Sequence, residues 1–208
     1  MIDKRQEIVE AAAALMHSKG YENTKLSDIL EVAQIGKGQF YHYFSSKHEF
    51  GLAVIDYFFD NWNRRLLEDI LGSEKDPKIK FNEMLEWVVQ NHMSNQAKCG
   101  CVFGNLAIEM SEHDERFRQK IEAVFETWVD KLKPVLAGMI KGSSQSGPEE
   151  IDKLAHGIVA MLEGGILLMK SQQDIKVLID VTDLVRYLVN SLVQDHSAIG
   201  KIFKGIVL

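Results

Sequence analysis

Prolines, cysteines and long apolar segments are scarce in this chain. Its 208 residues include three prolines and two cysteines. So few prolines favour helices, because proline breaks a helix interior, and two cysteines are too few for a disulfide framework. Met1 leads directly into a charged stretch rather than an apolar signal segment, and no run reaches the length expected of a membrane span. We therefore expect a soluble cytoplasmic protein with no membrane partner.

The sequence also lacks the motifs that carry common enzymatic chemistry. It has no Gly-x-Ser-x-Gly, no His-Glu-x-x-His, no phosphate-binding glycine-rich loop and no duplicated Glu-x-x-His of a di-iron bundle. Glu109 and His113 lie one helical turn apart, which is typical of a solvated pair. We expect no enzymatic activity, no cofactor and no metal.

Excess positive charge is absent as well. The formal net charge is -6, and residues 1–50 hold six Lys or Arg against seven Asp or Glu. Nonspecific affinity for nucleic acid depends on basic charge, so the composition argues against a general nucleic-acid coat. Any DNA binding must depend on the local placement of a few lysines and helix starts, doubled in a dimer.

The segment 24–49 predicts two short helices joined by a tight turn. Apolar residues recur at spacings of three and four from Leu26, which gives the first helix one apolar stripe. The second helix begins beside Gly36, and we expect Phe40 and Phe44, which share one face of it, to lie in the core. This arrangement is typical of a helix-turn-helix, which places its second helix in the major groove of DNA.

Polar residues of the second helix are candidates for DNA contacts. A helix start carries unpaired N–H groups, so Lys37 between two glycines suits a phosphate or a base edge. Gln39 can reach a base, and tyrosine or histidine side chains can bind the DNA backbone. A capping-box pattern at 46–49 places Lys47 in the first turn of the next helix. The candidates are Gly36, Lys37, Gly38, Gln39, Tyr41, His42, Tyr43 and Lys47. The alternative is that these side chains are solvated surface or core.

The first fifty residues resemble the N-terminal domain of the tetracycline-repressor (TetR) family of bacterial regulators. The resemblance rests on Gly20-Tyr21, Thr24, Asp28-Ile29 and Ala33, followed by GKGQFYHYF and SSK. It implies that Thr24 and Lys25 lie near the DNA backbone at the start of the second helix of the chain. Three positions depart from the family pattern: Gln34 replaces a frequent glycine, Gly36 a serine or threonine, and Tyr43 a histidine.

Periodicity and capping signals predict helices along the rest of the chain. The predicted ranges are about 3–19, 47–71, 77–95, 102–110, 114 onward, 149–172 and 174–195, with GSSQSGP at 142–148 as the clearest loop. The resemblance implies an all-α fold with a helix-turn-helix DNA-binding domain at 1–50 and a helical effector-binding and dimerisation domain at 51–208.

The last two predicted helices have apolar residues on more than one face. Because almost nothing joins them, they should be antiparallel neighbours. One face suits the core and another a partner subunit, and TetR-like proteins use two such helices for a four-helix dimer interface. The candidate interface residues are Ile158, Leu162, Ile166, Leu184, Leu188 and Leu192. The alternative is that these residues belong to the core alone.

An aromatic and methionine-rich set in the middle of the chain is a candidate effector site. Methionine adapts to varied apolar shapes, and a few polar groups in such a set would orient a ligand. The candidates are Met84, Trp87, Asn91, Phe103, Asn105, Glu109, Phe125, Trp128, Met161, Gly165 and Met169. The alternative for each is an ordinary helical core.

Cys99 and Cys101 have three interpretations. They are weak zinc ligands without a second pair, redox or electrophile sensors if Lys98 and the next helix start lower their thiol pKa values, or inert thiols. The sequence as a whole predicts a homodimeric repressor that binds a palindromic double-stranded DNA operator and releases it when a small apolar or amphipathic effector binds. The alternative is a helical small-molecule-binding protein without DNA recognition.

Overall fold

Helices make up the ordered framework of the protein. The structure, a computed structural model, describes residues 3–94, 96–140 and 147–194, and within these ranges it contains no strand. The helices are α1 (Lys4–Lys19), α2 (Leu26–Val32), α3 (Lys37–Tyr43), α4 (Lys47–Trp62), α5 (Pro77–Ser94), α6 (Val102–Met110), α7 (Glu115–Met139), α8 (Pro148–Gln172) and α9 (Ile175–Gln194). The predicted all-α class is confirmed. Most of the predicted loop at 142–148, and Asp195, lie outside the described residues.

Local capping interactions fix several helix ends where the sequence predicts them. Gly20 ends α1 with a φ of 85°, and its N–H donates to the Met16 carbonyl. Ser46 caps α4 by accepting a hydrogen bond from the Glu49 N–H at 3.1 Å. Gln173 ends α8 in the left-handed region with a φ of 52°. These ends depend on neighbouring residues, which is why a sequence pattern reveals them.

The predicted helix at 47–71 is continuous, but it changes type. After α4 ends at Trp62, residues Asn63–Leu71 form a π-helix and bury Leu66, Leu67 and Leu71. A π-helix is wider than an α-helix and is rare beyond a single turn. Apolar spacing alone did not indicate this change.

The chain divides into two compact units. The first consists of Met1–Asn63 with Cys101–Val124, and the second of Arg64–Gly100 with Phe125–Leu208, considering the described residues of each. The first unit is therefore larger than the predicted 1–50 domain, because α6 and the start of α7 pack with it. The division after residue 50 remains a functional prediction.

In the first unit, α1 packs against α2 and α4. Its core includes side chains that are almost fully buried: Ile8, Met16, Ile29, Phe50, Ile55 and Phe117. Gly51 of α4 lies so close to Tyr21 and Phe117 that an added Cβ would come within 2.8 Å of both rings. This close approach holds α4 against the α1–α2 turn and α7.

In the second unit, α9 packs against α5 and α8. Only Gln173 and Asp174 separate α8 from α9, and Gly165 of α8 faces Val181 of α9, as antiparallel neighbours require. An added Cβ at Gly165 would lie 2.9 Å from Val181 Cγ1. The glycine therefore permits a close helix crossing that a larger residue would prevent.

Helix α8 differs from the expectation that no segment is long and apolar enough to span a membrane. By length and composition alone it is apolar enough to cross a membrane, whereas the sequence predicted no segment of that length. A core helix of a soluble protein passes the same test. Packing inside the second unit accounts for part of its apolar character, because α8 buries residues such as Leu162 and Met169.

Candidate DNA-binding site

Helix α3 is held to the first unit by one aromatic side chain. Phe40 is fully buried, and its ring lies 5.3 Å from that of Phe44 and 5.8 Å from that of Phe50, measured between centroids. The Arg5 guanidinium lies 4.8 Å from the Phe44 ring centroid and covers this cluster. Phe40 is the only buried residue of α3. A helix with a single buried anchor presents almost all its other side chains outward.

The outward face of α3 carries most of the predicted DNA contacts. Lys37, Gln39, Tyr41 and His42 are exposed, and Tyr43 is half-buried. The Lys37 ammonium lies 5.9 Å from the Tyr41 ring centroid, so these two side chains share one stripe. Gly36 occupies the N-cap, and no side chain among the described residues caps this helix start. The exposed glycines Gly36 and Gly38 leave open space around it. The structure therefore brings this part of the predicted set together on one polar surface.

The turn between α2 and α3 takes the geometry that glycine would favour. Gln34 has a φ of 52°, which costs a non-glycine residue about 1 to 2 kcal/mol. Its N–H donates to the Glu31 carbonyl, and the Ile35 N–H donates to the Leu30 carbonyl at 3.0 Å. The departure from glycine at this position therefore leaves the turn intact.

The turn between α1 and α2 changes the role expected of Thr24. Its side chain is fully buried, and its hydroxyl donates to the Gly20 carbonyl at 2.7 Å. Thr24 therefore closes the turn and does not present its side chain to DNA. Lys25 is exposed at the N-cap of α2, where its N–H donates to the Asp28 carboxylate at 3.1 Å. That hydrogen bond is the main reason the pKa of Asp28 is lowered.

Lys47 contacts protein groups as well as facing solvent. Its ammonium lies 4.3 Å from the Tyr21 ring centroid and donates to the Glu22 carbonyl at 3.4 Å. An ammonium has three donors, so a phosphate contact remains compatible with this position. In the free protein, however, Lys47 also links the start of α4 to the α1–α2 turn.

Two acidic residues, Glu109 of α6 and Asp114 just before α7, complete this unit, and the sequence did not assign them to it. Glu109 accepts hydrogen bonds from the N–H groups of Tyr21 and Glu22, at 2.9 and 2.7 Å. Asp114 accepts from the Phe117 N–H at 3.0 Å and lies 2.6 Å from His48 Nε2. The Phe117 hydrogen bond, followed by the His48 contact, lowers the pKa of Asp114. The sequence shows that Asp114 precedes a predicted helix and can cap it. The sequence does not show that Asp114 also contacts His48 of α4.

Comparison with known proteins identifies the family. The model for "Bacterial regulatory proteins, tetR family" matches residues 8–54, and "Transcriptional regulator LmrA/YxaF-like, C-terminal domain" matches residues 77–184, more than half of the chain. The chain belongs to the TetR family. It is a transcriptional regulator and not an enzyme. TetR-family regulators bind DNA operators and act as dimers.

Individual relatives agree with this assignment over most of their length. An uncharacterised HTH-type transcriptional regulator from Lactococcus lactis is 38% identical over 185 residues, 88% of this chain and 91% of that protein. The HTH-type transcriptional repressor DhaR of a Mycobacterium species is 28% identical, covering 82% of this chain and 84% of that protein. The crystal structure of regulatory protein TetR from Rhodobacter sphaeroides has a TM-score of 0.77 at 27% identity, covering 88% of this chain and 96% of that one.

The predicted effector residues of this TetR-family chain fall into two groups. Phe103, Asn105 and Glu109 lie on α6, in the first unit, and the other eight lie in the second unit. Phe103 packs 5.8 Å from the Trp62 ring centroid, and Glu109 binds the α1–α2 turn. In the second unit the buried members are Met84, Trp128, Gly165 and Met169, the half-buried members are Trp87, Phe125 and Met161, and Asn91 is exposed. Gly165 allows the close crossing of α8 and α9, so the presence of glycine at this position requires no ligand.

The predicted dimer residues require correction. Ile158, Leu162, Ile166 and Leu192 are buried within the protomer, none more than 7% exposed, so they offer little surface to a partner subunit. Leu184 and Leu188 of α9 are 50% and 41% exposed. The structure adds three exposed apolar residues that the sequence did not select: Leu167, Leu168 and Tyr187. Helical spacing marked apolar faces of α8 and α9 but did not indicate which one is buried.

Cys99 and Cys101 form no disulfide bond, and both are partly accessible. Cys101 occupies the N-cap of α6, where its Sγ accepts from the Gly104 N–H at 3.4 Å. Among the described residues, no group of three or more His, Cys, Asp or Glu side chains is placed to hold a metal ion. Of the three interpretations, the structure therefore gives the zinc site no support and gives Cys101 a capping role.

Proposed function

We propose that this regulator is a homodimeric repressor that binds a near-palindromic operator and releases it when a small apolar or amphipathic molecule binds. The cytoplasm, where such an operator would be accessible, is the proposed location. Repression is supported by the relative DhaR, which is named a transcriptional repressor. The unequal affinity of an effector for two states of the dimer would drive release.

One observation carries the proposal for DNA binding: α3 buries Phe40 and exposes Lys37, Gln39, Tyr41 and His42. The protein core requires none of these four polar side chains, whereas a DNA groove offers partners for all of them. A helix start with an uncapped N-terminus adds donors for phosphate oxygens. The negative net charge means that affinity depends on this local surface, not on the overall field.

Selection of binders from a random DNA pool at moderate salt tests this proposal. We expect enrichment of a site with two symmetric halves whose centres are about one helical turn, or a multiple of it, apart. Gln39→Ala should lose about 1 to 3 kcal/mol on the selected site and relax its sequence preference. Lys37→Ala should weaken binding to all DNA and reduce the salt slope by about one per lost phosphate contact.

Lys131→Ala is a matched control, because Lys131 is an exposed lysine on α7 in the second unit. It removes the same charge and should leave the affinity for the selected site nearly unchanged. An unenriched pool would support the alternative of a ligand-binding protein without DNA recognition. Equal losses for Lys37→Ala and Lys131→Ala would show that charge alone, not the α3 surface, determines binding.

We place the dimer contact on the exposed apolar face of α8 and α9, formed by Leu167, Leu168, Leu184, Tyr187 and Leu188. Exposed apolar side chains on two helices that pack together favour a protein partner over water. A two-fold axis would let the same face meet itself in a second copy. A dimer agrees with the family, whose members act as dimers.

We place the effector in the second unit, close to the half-buried residues Trp87, Phe125 and Met161. Trp87 and Trp128 are two of the three tryptophans in the chain, so intrinsic fluorescence reports on this region. A panel of apolar and amphipathic compounds should include one that changes this fluorescence, raises the melting temperature and releases the operator. Trp87→Phe should remove part of the fluorescence response, whereas Trp62→Phe in the first unit should keep it. A compound that releases DNA without altering either signal would place the effector elsewhere.

A further inference from the structure

Glu109 binds the α1–α2 turn with both carboxylate oxygens. Oε2 accepts from the Tyr21 N–H at 2.9 Å and Oε1 from the Glu22 N–H at 2.7 Å. Two successive N–H groups held by one carboxylate form a charge-assisted pair, which is stronger and more directional than a neutral hydrogen bond. The two partners are 88 and 87 residues away in sequence, so the contact is made only by the tertiary fold.

Gly20 allows the carboxylate to come this close. Its φ is 85°, and a Cβ at this position would lie 3.0 Å from Glu109 Oε1. A side chain here would be strained by the backbone angle and crowded by the carboxylate. The same glycine ends α1, so the binding site for Glu109 and the end of α1 are one feature.

The turn that Glu109 holds sets the position of α2. Thr24 closes it by donating to the Gly20 carbonyl at 2.7 Å, and the Thr24 N–H donates to the Tyr21 carbonyl at 3.3 Å. Lys25, the next residue, is the N-cap of α2. Lys47 at the start of α4 contacts the same turn through the Tyr21 ring and the Glu22 carbonyl. Helix α2 thus begins directly after this turn, and α4 contacts the turn through its first residue.

Charge alone would make Glu109 unfavourable near DNA. It lies beside Glu22 in a unit that contains the α3 surface, and a carboxylate repels phosphates. Burial, followed by the negative charges of Glu22, Asp114 and Glu109, raises the pKa of Tyr21. If Glu109 acted only through its charge, its removal would strengthen DNA binding. If Glu109 positions the turn, its removal should weaken operator binding.

We propose that Glu109 is a positioning residue for operator recognition: its carboxylate fixes the Tyr21–Glu22 turn and thereby the start of α2, and it is not an effector ligand. This inference rests on the proposed function, because it requires an operator. Replacing the carboxylate with the amide of glutamine leaves one acceptor oxygen for two backbone N–H groups and loosens the base-reading geometry, while Lys37, on the exposed face of α3, stays in place.

The test compares Glu109→Gln with Glu112→Gln in the full-length protein. Glu112 is exposed three residues further on, so both variants remove one negative charge from the same region. We expect Glu109→Gln to weaken binding to the selected operator by tenfold or more, with binding to random-sequence DNA unchanged or tighter. Glu112→Gln should leave operator binding unchanged or slightly tighter. Glu109→Asp keeps the charge but shortens the side chain, and should also weaken operator binding.

Amide hydrogen exchange gives a second, local measurement. In Glu109→Gln the Tyr21 and Glu22 amides should exchange about tenfold faster than in the parent, while the amides of the α4 core, such as that of Val54, keep the parent rate. Faster exchange throughout the unit, or equal losses on operator and random DNA, would show general destabilisation and overturn the inference. Glu109→Gln binding the operator as tightly as the parent would overturn it as well. If the parent selects no operator, the proposed function fails instead.

Discussion

The exposed face of α8 and α9 gives the sharpest quantitative prediction. Leu184 and Leu188 lie one turn apart on α9 and are 50% and 41% exposed. If this face is the dimer contact, truncating both residues to alanine should weaken association and leave the protomer folded. Leu162 of α8 is fully buried, so its truncation should affect folding rather than association. Leu162→Ala should destabilise the protomer by about 2 to 5 kcal/mol, the usual cost of a core cavity.

The size of the dimer effect follows from the exposed area. Complete burial of a leucine side chain contributes roughly 1.5 to 3 kcal/mol, so burying the exposed half contributes about 1 kcal/mol. In a two-fold dimer each residue occurs once in each subunit, so each substitution acts twice. It should cost about 2 kcal/mol of association free energy, or about 30-fold in Kd. The Leu184→Ala, Leu188→Ala double variant should therefore lose about 4 kcal/mol if the two sites are additive, a Kd change of several hundred-fold.

Sedimentation velocity over a concentration series measures the dimer Kd, and urea unfolding followed by circular dichroism measures folding. Ile108→Ala is the matched control, because Ile108 is an exposed apolar residue of α6 in the first unit. It should change neither the dimer Kd nor the fold. A double variant that still dimerises like the parent, or Leu162→Ala that dissociates without losing stability, would refute the assignment of this face. A parent that is monomeric at micromolar concentration would refute the dimer itself.

Two further predictions concern buried histidine and the thiols. Burial lowers the pKa of His92, so its contribution to stability is complete above about pH 6.5, the unfolded value, and is lost as the pH falls below it. In urea unfolding, the free energy of unfolding of His92→Gln should fall less than that of the parent as the pH is lowered. His156→Gln should lose more stability than the parent over the same fall in pH, because hydrogen bonding to the Asp152 carbonyl raises the pKa of His156. An equal dependence of stability on pH in all three proteins would contradict the reasoning. Thiol alkylation should weaken operator binding, because an adduct at Cys101 disturbs the cap of α6. The Cys99→Ser, Cys101→Ser variant should resist the reagent, and unchanged DNA affinity after full alkylation of the parent would show that the thiols are inert.

The helix boundaries were predictable because the signals that set them are local. Gly20 ends α1, Ser46 with Glu49 starts α4, and Pro148 begins α8, each within a few residues of its partners. The spacing of Phe40 and Phe44 likewise predicted the core side of α3. The resemblance to TetR proteins added the expectation of a transcriptional regulator, and the family comparison confirmed that much.

The errors on α8 and α9 share one physical cause. Apolar periodicity shows that a helix has an apolar face, but α8 and α9 have more than one, and only packing selects the buried one. The sequence therefore assigned Leu162 and Leu192 to a partner subunit, although both lie inside the protomer. Thr24 matched a DNA-binding pattern but turns its side chain inward to Gly20.

The sequence by itself determined the all-α class, the helix-turn-helix and the polar surface of α3, because each depends on residues that are neighbours along the chain. The tertiary structure decided that α6 and the start of α7 belong to the first unit, which contains the helix-turn-helix. It also placed Glu109 on the amides of Tyr21 and Glu22. A hydrogen bond between groups almost ninety residues apart leaves no periodic trace in sequence, since a backbone N–H has the same chemistry in every residue except proline.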